Sequence, residues 1–211
     1  MLTLNAQQPD APAAAAAILR DGGVIAAPTE TVYGLMARWS DPRARETIYR
    51  LKRRPADRRL QMLAASLDDL DACHLTLRRR HDADAIAARF WPGPLTLVAE
   101  TADGDTVGIR IPSHPFVLNL IRALGEPLAA TSANLSGRPP ASTPLAAVAN
   151  LDGQPDALVD GGLATVTHGA ASTVASIAGD TLAILREGPI SRQQLQKALD
   201  DARRLRTAPL T

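Results

Sequence analysis

Short apolar runs alternate with amphipathic stretches along most of this chain. The apolar runs have the length of buried strands and end at proline, glycine or clusters of polar residues. The amphipathic stretches have helical spacing: Ala44, Ile48 and Leu51, for example, fall on one helical face. Strands that alternate with helices, without a repeat or a linker, predict one α/β domain whose twisted, mostly mixed sheet is flanked by helices.

The pattern places each element on a definite segment. The predicted strands are Val24–Ala27, Gly34–Trp39, Gln61–Ala65, Leu95–Ala99, Thr106–Ile111, Pro127–Thr131, Leu158–Asp160, Ser172–Ile177 and Leu182–Leu185. The predicted helices are Asp10–Arg20, Asp41–Leu51, Asp68–Leu77, His81–Phe90, one from Pro115 to Gly125, Pro144–Leu151 and Ser191–Arg204. We expect Asp10 to cap the first helix and Pro55 to end the second.

The segment Pro28–Leu35, PTETVYGL, follows the first of these strands. It brings two threonines, a carboxylate and a tyrosine together, and Gly34 then permits a close backbone approach. Many α/β proteins present a ligand site at the carboxyl edge of a buried strand. The alternative is an ordinary polar turn between two strands.

A dense basic segment, LKRRPADRRL, runs from Leu51 to Leu60. If the helix stops at Leu51, the next residues are extended, so Lys52 and Arg54 share one side and Arg53 faces away. Two adjacent cations on one side favour a bound anion, although a solvated basic loop fits the charge pattern equally well.

A second pair of polar residues follows the strand Pro127–Thr131. Ser132 and Asn134 are two residues apart, so in an extended chain they offer a hydroxyl and an amide on the same side. These groups suit phosphate or ribose oxygens. A turn is the alternative, because serine, asparagine and glycine are common there.

Composition narrows the function classes. The 211 residues are 45% hydrophobic with a net charge of +1, so no global field favours nucleic acid or a membrane surface. One cysteine excludes an intrachain disulfide, and four scattered histidines give no zinc spacing. No signal peptide and no apolar run of about 18 residues is found, which predicts a soluble, cytoplasmic protein. The basic run Arg78–Arg80 is either a solvated loop or a contact with RNA.

Seven motifs then occur in a fixed order: PTETVYGL, KxRP, WPGPLTLV, GIRIP, TSANLSG, ASTV and LREGPI. Together they resemble the YrdC-domain family, the threonylcarbamoyl-AMP synthases. The resemblance covers roughly Ala13 to Ile190. It indicates the short, single-domain class of the family, with one domain over 1–211 and a C-terminal helix after the core.

The resemblance implies a nucleotidyltransferase of tRNA modification. Members of the family condense L-threonine, bicarbonate or CO2, and ATP, which we expect with Mg²⁺, into L-threonylcarbamoyladenylate and pyrophosphate. The product supplies the t6A modification at adenosine 37 of tRNA through separate transferase proteins. The implied fold is an α/β sheet around a concave, basic ligand site.

The resemblance also implies roles for individual residues. Those implied for ATP are Lys52, Arg54, Arg58, Thr106, Ser132, Asn134 and Arg186, of which Lys52 and Arg54 are the catalytic cations. Those implied for threonine are Thr31, Arg110 and Ser172. It gives no metal ligands.

Two of the neighbouring charged residues have alternative roles. A guanidinium among apolar neighbours, as in Arg110, needs a partner, which is either the substrate carboxylate or an internal carboxylate. Glu30 is either a general base or a structural or Mg²⁺-linked group. Tyr33 is expected as a pocket wall and Trp91 as a core aromatic.

Four positions depart from the family pattern. They are Arg53 inside KxRP, Arg59-Leu60 where relatives often carry Pro-Leu, Leu63 where some relatives place a polar group against threonine, and Pro140 where others have serine. Two further hypotheses stand beside the synthase, and Leu63 and Pro140 keep the second of them open. One is an RNA-binding module with a basic concavity, and the other is a paralogue that adenylates a different carbamate.

Overall fold

The computed structural model describes residues 1–149, 151–162 and 171–207. Ten strands form one mixed sheet in the order β1-β8-β2-β3-β7-β4-β6-β5-β9-β10. The strands are β1 (Leu2–Asn5), β2 (Ile25–Ala27), β3 (Gly34–Arg38), β4 (Gln61–Leu63), β5 (Leu95–Glu100), β6 (Thr106–Arg110), β7 (Leu128–Ser132), β8 (Ala157–Asp160), β9 (Thr173–Ser176) and β10 (Ala183–Arg186). The helices are α1 (Ala11–Arg20), α2 (Pro42–Lys52), α3 (Asp69–Ala72), α4 (Arg80–Phe90), α5 (Pro115–Leu124), α6 (Pro144–Ala149) and α7 (Arg192–Thr207).

The predicted α/β architecture with a mixed sheet is confirmed. All nine predicted strands are present, each within a few residues of its expected bounds. The tenth, β1, was not predicted; it pairs in parallel with β8, and its four residues are too few to give a clear period. The helix predicted over Asp68–Leu77 is wrong beyond Ala72, because His74 has a positive φ of 55° and Leu77 forms a β-bridge with Thr101.

Two helix ends also differ from expectation. Asp10 occupies the N-cap position of α1, but its side chain makes no capping hydrogen bond, so its predicted capping role is wrong. The helix predicted over Pro144–Leu151 is described to Ala149, and position 150 lies outside the described residues.

Alternation along β4, β5 and β6 separates a core face from an open face. Met62, Leu97 and Ile109 belong to a buried cluster that includes residues of α4 and α7. Their neighbours Gln61 and Gly108 line a cavity on the opposite face. Because side chains alternate across a strand, one face of the sheet is free to hold polar groups.

The other half of the sheet is covered on both faces. The alanine-rich helix α1 packs against α5 and the sheet, with Ala15 and Leu19 fully buried beside Leu120. Helix α2 contributes Ile48 and Leu51 to a cluster on the opposite side. Within the described ranges, no helix combines the length and apolar composition needed to span a bilayer.

The two aspartates at helix N-caps give a matched stability test. Asp41 Oδ1 accepts hydrogen bonds from the backbone N–H groups of Arg43 at 2.9 Å and Ala44 at 3.0 Å, whereas Asp10 makes no such bond. We expect Asp41→Ala to lower the free energy of unfolding by about 1 kcal/mol and Asp10→Ala by less than about 0.5 kcal/mol. Urea denaturation measures both, and equal losses would contradict this capping assignment.

Candidate active site

The open face of the sheet carries a cavity of about 270 Å³. Strands β4, β5, β6, β7, β9 and β10, or the residues next to them, supply its floor. Four arginines line it, namely Arg54, Arg59, Arg110 and Arg186, and among the described residues no aspartate or glutamate does. Such a lining favours an anionic ligand.

The structure brings most of the predicted site residues to this cavity. Those on its lining are Thr31, Arg54, Thr106, Arg110, Ser132, Ser172 and Arg186. Three others, Lys52, Arg58 and Asn134, are not among the residues that line it.

Arg110 is held by an internal carboxylate. Its side chain is buried, and Nη2 lies 2.7 Å from Glu30 Oε1 and donates to Thr31 Oγ1 at 2.9 Å. The internal ion pair, one of the two alternatives for Arg110, is therefore present. Because Arg110 also lines the cavity, the ion pair neutralises and orients a guanidinium that faces the ligand space.

Glu30 acts in this arrangement as the counter-ion of Arg110, and it is not part of the cavity lining. His114 lies nearby at the N-cap of α5. Burial lowers the pKa of His114, and the charge of Glu30 offsets this only in part. A neutral imidazole leaves Arg110 as the cation that balances Glu30.

Arg186 is anchored from β10 onto the residue before β9. Its Nε and Nη2 donate to the Ser172 carbonyl at 3.0 and 2.7 Å, and Nη2 also donates to Ser172 Oγ at 3.0 Å. Burial and the nearby charge of Arg110 lower the pKa of Arg186. Two neighbouring guanidinium groups thus share this end of the cavity, a repulsion that a bound anion relieves.

The predicted extended chain after α2 is wrong. The helix continues through Lys52, and Arg53 ends it in a left-handed conformation with φ 48°. Arg54 N then bonds to the Tyr49 carbonyl at 2.9 Å. Lys52 and Arg54 are therefore not placed together by strand-like alternation. Arg53 does face outward, where its Nε lies 2.9 Å from Asp152 Oδ2.

Lys52 is buried, at 1% exposure, against the loop that follows β7. Its Nζ donates to the Ser132 carbonyl, to the Asn134 carbonyl at 2.7 Å and to Asn134 Oδ1 at 3.4 Å. The Asn134 amide in turn donates to the carbonyls of Leu135 and Arg138, both at 2.8 Å. In this structure Lys52 and Asn134 fix the loop that carries Ser132 into the cavity.

Arg54 is the basic residue of this segment that faces the cavity without a carboxylate. Its Nε donates to the Arg58 carbonyl and its Nη2 to the Arg59 carbonyl, both at 2.8 Å. Burial is the main cause that lowers the pKa of Arg54. The charge of Arg58 adds to this effect, whereas Tyr49 and the charge of Asp57 oppose it. Arg59, which we did not predict as a site residue, is paired with Asp105 and also bonds to the Thr106 carbonyl at 2.8 Å.

Three other expectations need correction or restriction. Tyr33 is fully buried in the core rather than lining the cavity, and its hydroxyl accepts from Gly161 N at 3.1 Å. Leu63 is 1% exposed in a core cluster, so it does not reach the cavity. Pro140 is exposed and away from the lining. Trp91 packs against the core, with its Nε1 donating to the Leu95 carbonyl at 2.8 Å.

Two uncharged polar residues of the floor, Gln61 and Thr96, were not predicted. Both line the cavity, and Thr96 Oγ1 donates to Gln61 Oε1 at 2.8 Å and lies 3.0 Å from Ser172 Oγ. Each is an isolated polar residue in a short apolar strand. A polar residue in an apolar strand indicates a side chain on a polar face of the sheet. It indicates a ligand site only once the strand order shows which other residues share that face.

A larger cavity, of about 430 Å³, lies on the other side of Arg59. Trp39 and Tyr49 line it, and so do three carboxylates, from Glu46, Asp103 and Asp105. Despite its size, this cavity suits an anion less well than the arginine-lined one. Within the described part of the chain, no group of three His, Cys, Asp or Glu residues is arranged to hold a metal ion.

Most of the chain matches a known protein family. The Sua5/YciO/YrdC family model, described as "Telomere recombination", matches residues 17–188. The chain belongs to the Sua5/YciO/YrdC family. Its predicted resemblance to the YrdC-domain proteins is thereby confirmed.

Individual relatives of this family share much of the sequence. The chain is 41% identical over 197 residues to the threonylcarbamoyl-AMP synthase of Bacillus subtilis, covering 89% of this chain and 56% of that protein. It is 41% identical over 176 residues to the threonylcarbamoyl-AMP synthase of Xanthomonas campestris pv. campestris, covering 75% of this chain and 91% of that protein. The chain thus spans just over half the length of the Bacillus relative.

A solved Sua5/YciO/YrdC structure has the same fold. The crystal structure of Pyrococcus abyssi Sua5 complexed with L-threonine superposes with a TM-score of 0.84 at 33% identity. The match covers 93% of this chain and 60% of that one.

The buried Lys52 amine gives a prediction about pH. Burial, and to a lesser extent the charge of Arg54, lower the pKa of Lys52 from 10.5 to about 8. The folded protein therefore releases this proton near pH 8, whereas the unfolded chain keeps it until about pH 10.5. Because the unfolded state binds more protons in that window, stability contributed by Lys52 should rise with pH.

We expect the unfolding free energy of the wild type, relative to that of Lys52→Met, to increase by about 3 kcal/mol as the pH rises across this window. Urea denaturation of both proteins at several pH values measures it, and the comparison cancels the other titrating groups. A difference that does not change with pH would contradict the shifted pKa.

Proposed function

We propose that this chain is a nucleotidyltransferase that forms L-threonylcarbamoyladenylate and pyrophosphate from L-threonine, bicarbonate or CO2, and ATP. One observation carries the proposal: four guanidinium groups line a cavity without an acidic residue on the described lining, in a chain of the Sua5/YciO/YrdC family. The names of the Bacillus and Xanthomonas relatives, and the threonine complex of the Pyrococcus protein, support the choice of reaction.

The reaction has two bond-forming steps, and the second brings the carbamate anion to ATP. The threonine amine forms a C–N bond with the carbon of bicarbonate and water is lost, or it adds to CO2 with loss of a proton. A carbamate oxygen then attacks the α-phosphorus of ATP. The bond from that phosphorus to the bridging oxygen breaks, and its electron pair leaves with pyrophosphate. Positioning and charge compensation carry such a displacement.

We assign the two ends of the cavity to the two substrates. Arg110, with Thr31 bonded to it and Ser172 on the same cavity lining, is proposed for the threonine carboxylate and side chain. A planar guanidinium that is already oriented by Glu30 suits a carboxylate. Under this assignment Glu30 remains a structural counter-ion.

Arg54 is proposed as the main cation for the triphosphate, with Thr106 and Ser132 as further ATP contacts. Arg186, which bonds to Ser172 and lies near Arg110, is proposed to contact ATP from the threonine end, where the two substrates meet. Two unit charges 4 Å apart interact by about 4 kcal/mol at an effective dielectric of 20, so uncompensated approach of carbamate and ATP is costly. Arg54 offsets that cost, since backbone carbonyls hold its guanidinium and no carboxylate of the described residues forms an ion pair with it.

Three predicted ATP contacts, Lys52, Arg58 and Asn134, lie off the cavity lining. Lys52 contributes by holding the loop of Ser132, through the carbonyls that its Nζ already contacts. Direct contacts of Lys52, Arg58 and Asn134 with ATP stay predictions. Mg²⁺ would come with the triphosphate, whose oxygens are ligands that this ion prefers. Among the described residues no cluster of His, Cys, Asp or Glu is arranged to hold a metal ion.

The proposed reaction also implies downstream partner proteins and a location in the cell. Supply of the adenylate to separate t6A transferase proteins and a cytoplasmic location are proposed with it. Direct RNA binding has less support. Each arginine of Arg78–Arg80 is paired with a carboxylate, namely those of Glu100, Asp82 and Asp84 respectively.

The direct experiment supplies the purified chain with ATP and bicarbonate, with and without L-threonine. We expect threonine-dependent pyrophosphate release and the adenylate by mass spectrometry. Product with another amine alone would support the paralogue. No product, together with tight and salt-sensitive RNA binding, would support the RNA-binding module.

Adjacent arginines provide a matched pair for this assay. Arg54→Ala removes a guanidinium from the cavity, so kcat/KM should fall by about 100-fold or more. Arg53→Ala removes an exposed guanidinium paired with Asp152, and kcat/KM should stay within about twofold of the wild type. Equal losses in the two variants would refute the assignment of Arg54 to the triphosphate.

A further inference from the structure

A gap in the cavity floor lets two side chains meet across a strand. Strand β6 lies between β4 and β5, and Gly108 in its middle has no side chain on the cavity face. A Cβ there would lie 3.5 Å from Thr96 Cγ2 and 3.9 Å from Gln61 Cβ. Because glycine leaves this space open, Gln61 reaches over β6 to Thr96, and a bulkier residue would stand between them.

The hydrogen bonds along the floor run in one direction. Arg186 Nη2, which can only donate, bonds to Ser172 Oγ at 3.0 Å. Thr96 Oγ1 donates to Gln61 Oε1 at 2.8 Å, so the 3.0 Å contact between Thr96 and Ser172 must use the serine proton. The chain of donors therefore ends on the oxygen of Gln61.

In the structure the Gln61 amide is turned with its oxygen toward Thr96. Its oxygen is occupied, and among the residues that the structure describes none accepts a hydrogen bond from Nε2. Gln61 lies on the cavity lining, and β4 places it beside Gly108, two positions from Arg110 along the same face of β6. Arg59, at the other end of the cavity, precedes it by two residues.

The Gln61 amide thus lies between the end assigned to the amino acid and the end assigned to the triphosphate. The group that must occupy this space is the one-carbon unit that joins the two substrates. We propose that Gln61 Nε2 donates a hydrogen bond to an oxygen of bicarbonate and then of the carbamate, and that Thr96 is a positioning residue for it. This inference rests on the proposed function and adds a residue to its site.

A neutral amide has a chemical advantage at this point. The carbamate must keep a nucleophilic oxygen for its attack on phosphorus, and a guanidinium on both oxygens would withdraw that charge. An amide donor can orient the oxygen that does not attack while leaving the charge of the anion intact. Since the amide oxygen is already bonded to Thr96, the anion meets only a donor.

The test compares steady-state kinetics with bicarbonate, threonine and ATP varied in turn. Gln61→Leu should raise the KM for bicarbonate, or lower kcat, by about 10- to 100-fold, which is the cost of one hydrogen bond to an anion. Gln61→Glu keeps the acceptor for Thr96 but replaces the donor with a carboxylate, so it should lose at least as much. Binding of threonine and ATP, measured by calorimetry, should stay within about twofold for Gln61→Leu.

Two further variants separate positioning from folding. Thr96→Val is nearly isosteric but removes the bond that orients the amide, so we expect a smaller loss, about three- to tenfold, in the same parameter. Gln193→Leu, the same chemical change on the exposed side of α7, should behave as the wild type. Thermal melting of each protein excludes a loss caused by unfolding.

The inference would be overturned if both Gln61 variants had the KM for bicarbonate and the kcat of the wild type. It would also be overturned if Gln61→Leu weakened threonine and ATP binding as much as it impaired the use of bicarbonate. Threonine-dependent product from the wild type with unaffected Gln61 variants would overturn this inference alone. No threonine-dependent product from the wild type would overturn the proposed function and this inference together.

Discussion

The central physical constraint on this site is the repulsion among four guanidinium groups that share one cavity. The fold offsets the charge of two of them with carboxylates that lie off the described lining, as Glu30 does for Arg110 and Asp105 for Arg59. It holds the other two, Arg54 and Arg186, through carbonyl and hydroxyl oxygens that carry no net charge. Their positive charge therefore remains available to a ligand, and the charge pattern favours a polyanion.

The sheet makes this arrangement possible because it separates two chemical tasks by alternation. On β6, Ile109 faces the core while Arg110 and Gly108 face the cavity. Burial of the apolar face stabilises the strands at their spacing, so the polar face gains fixed positions for its side chains. The cavity is thus a consequence of the same register that builds the core, and a slip of one residue would turn Arg110 toward the apolar core and Ile109 toward the cavity.

Local sequence patterns predicted the elements well but predicted contacts between them less well. Asp41 and Pro42 mark the start of α2 correctly, since capping depends on neighbours within one turn. The extended chain predicted after α2 was wrong because Arg53 adopts a left-handed conformation that its residue type does not favour. The outward direction of Arg53 was nevertheless correct, although its cause is the helix end and not an extended chain.

The site was predicted in part, and mainly through the family resemblance. Ordered motifs pointed to Thr31, Arg110 and Ser172, which the structure brings to one cavity. Gln61 and Thr96 gave no local signal, because their meeting depends on strand order and on the absence of a side chain at Gly108. Such contacts belong to the register of three strands and cannot be seen in any one of them.

The most direct test of the central claim is a crystal structure of the chain with threonine and a non-hydrolysable ATP analogue. We predict the threonine carboxylate on Arg110 and the phosphates within hydrogen-bond distance of Arg54, both in the arginine-lined cavity. Nucleotide bound instead in the neighbouring cavity of Trp39 and Tyr49, with the arginine-lined cavity empty, would contradict the account.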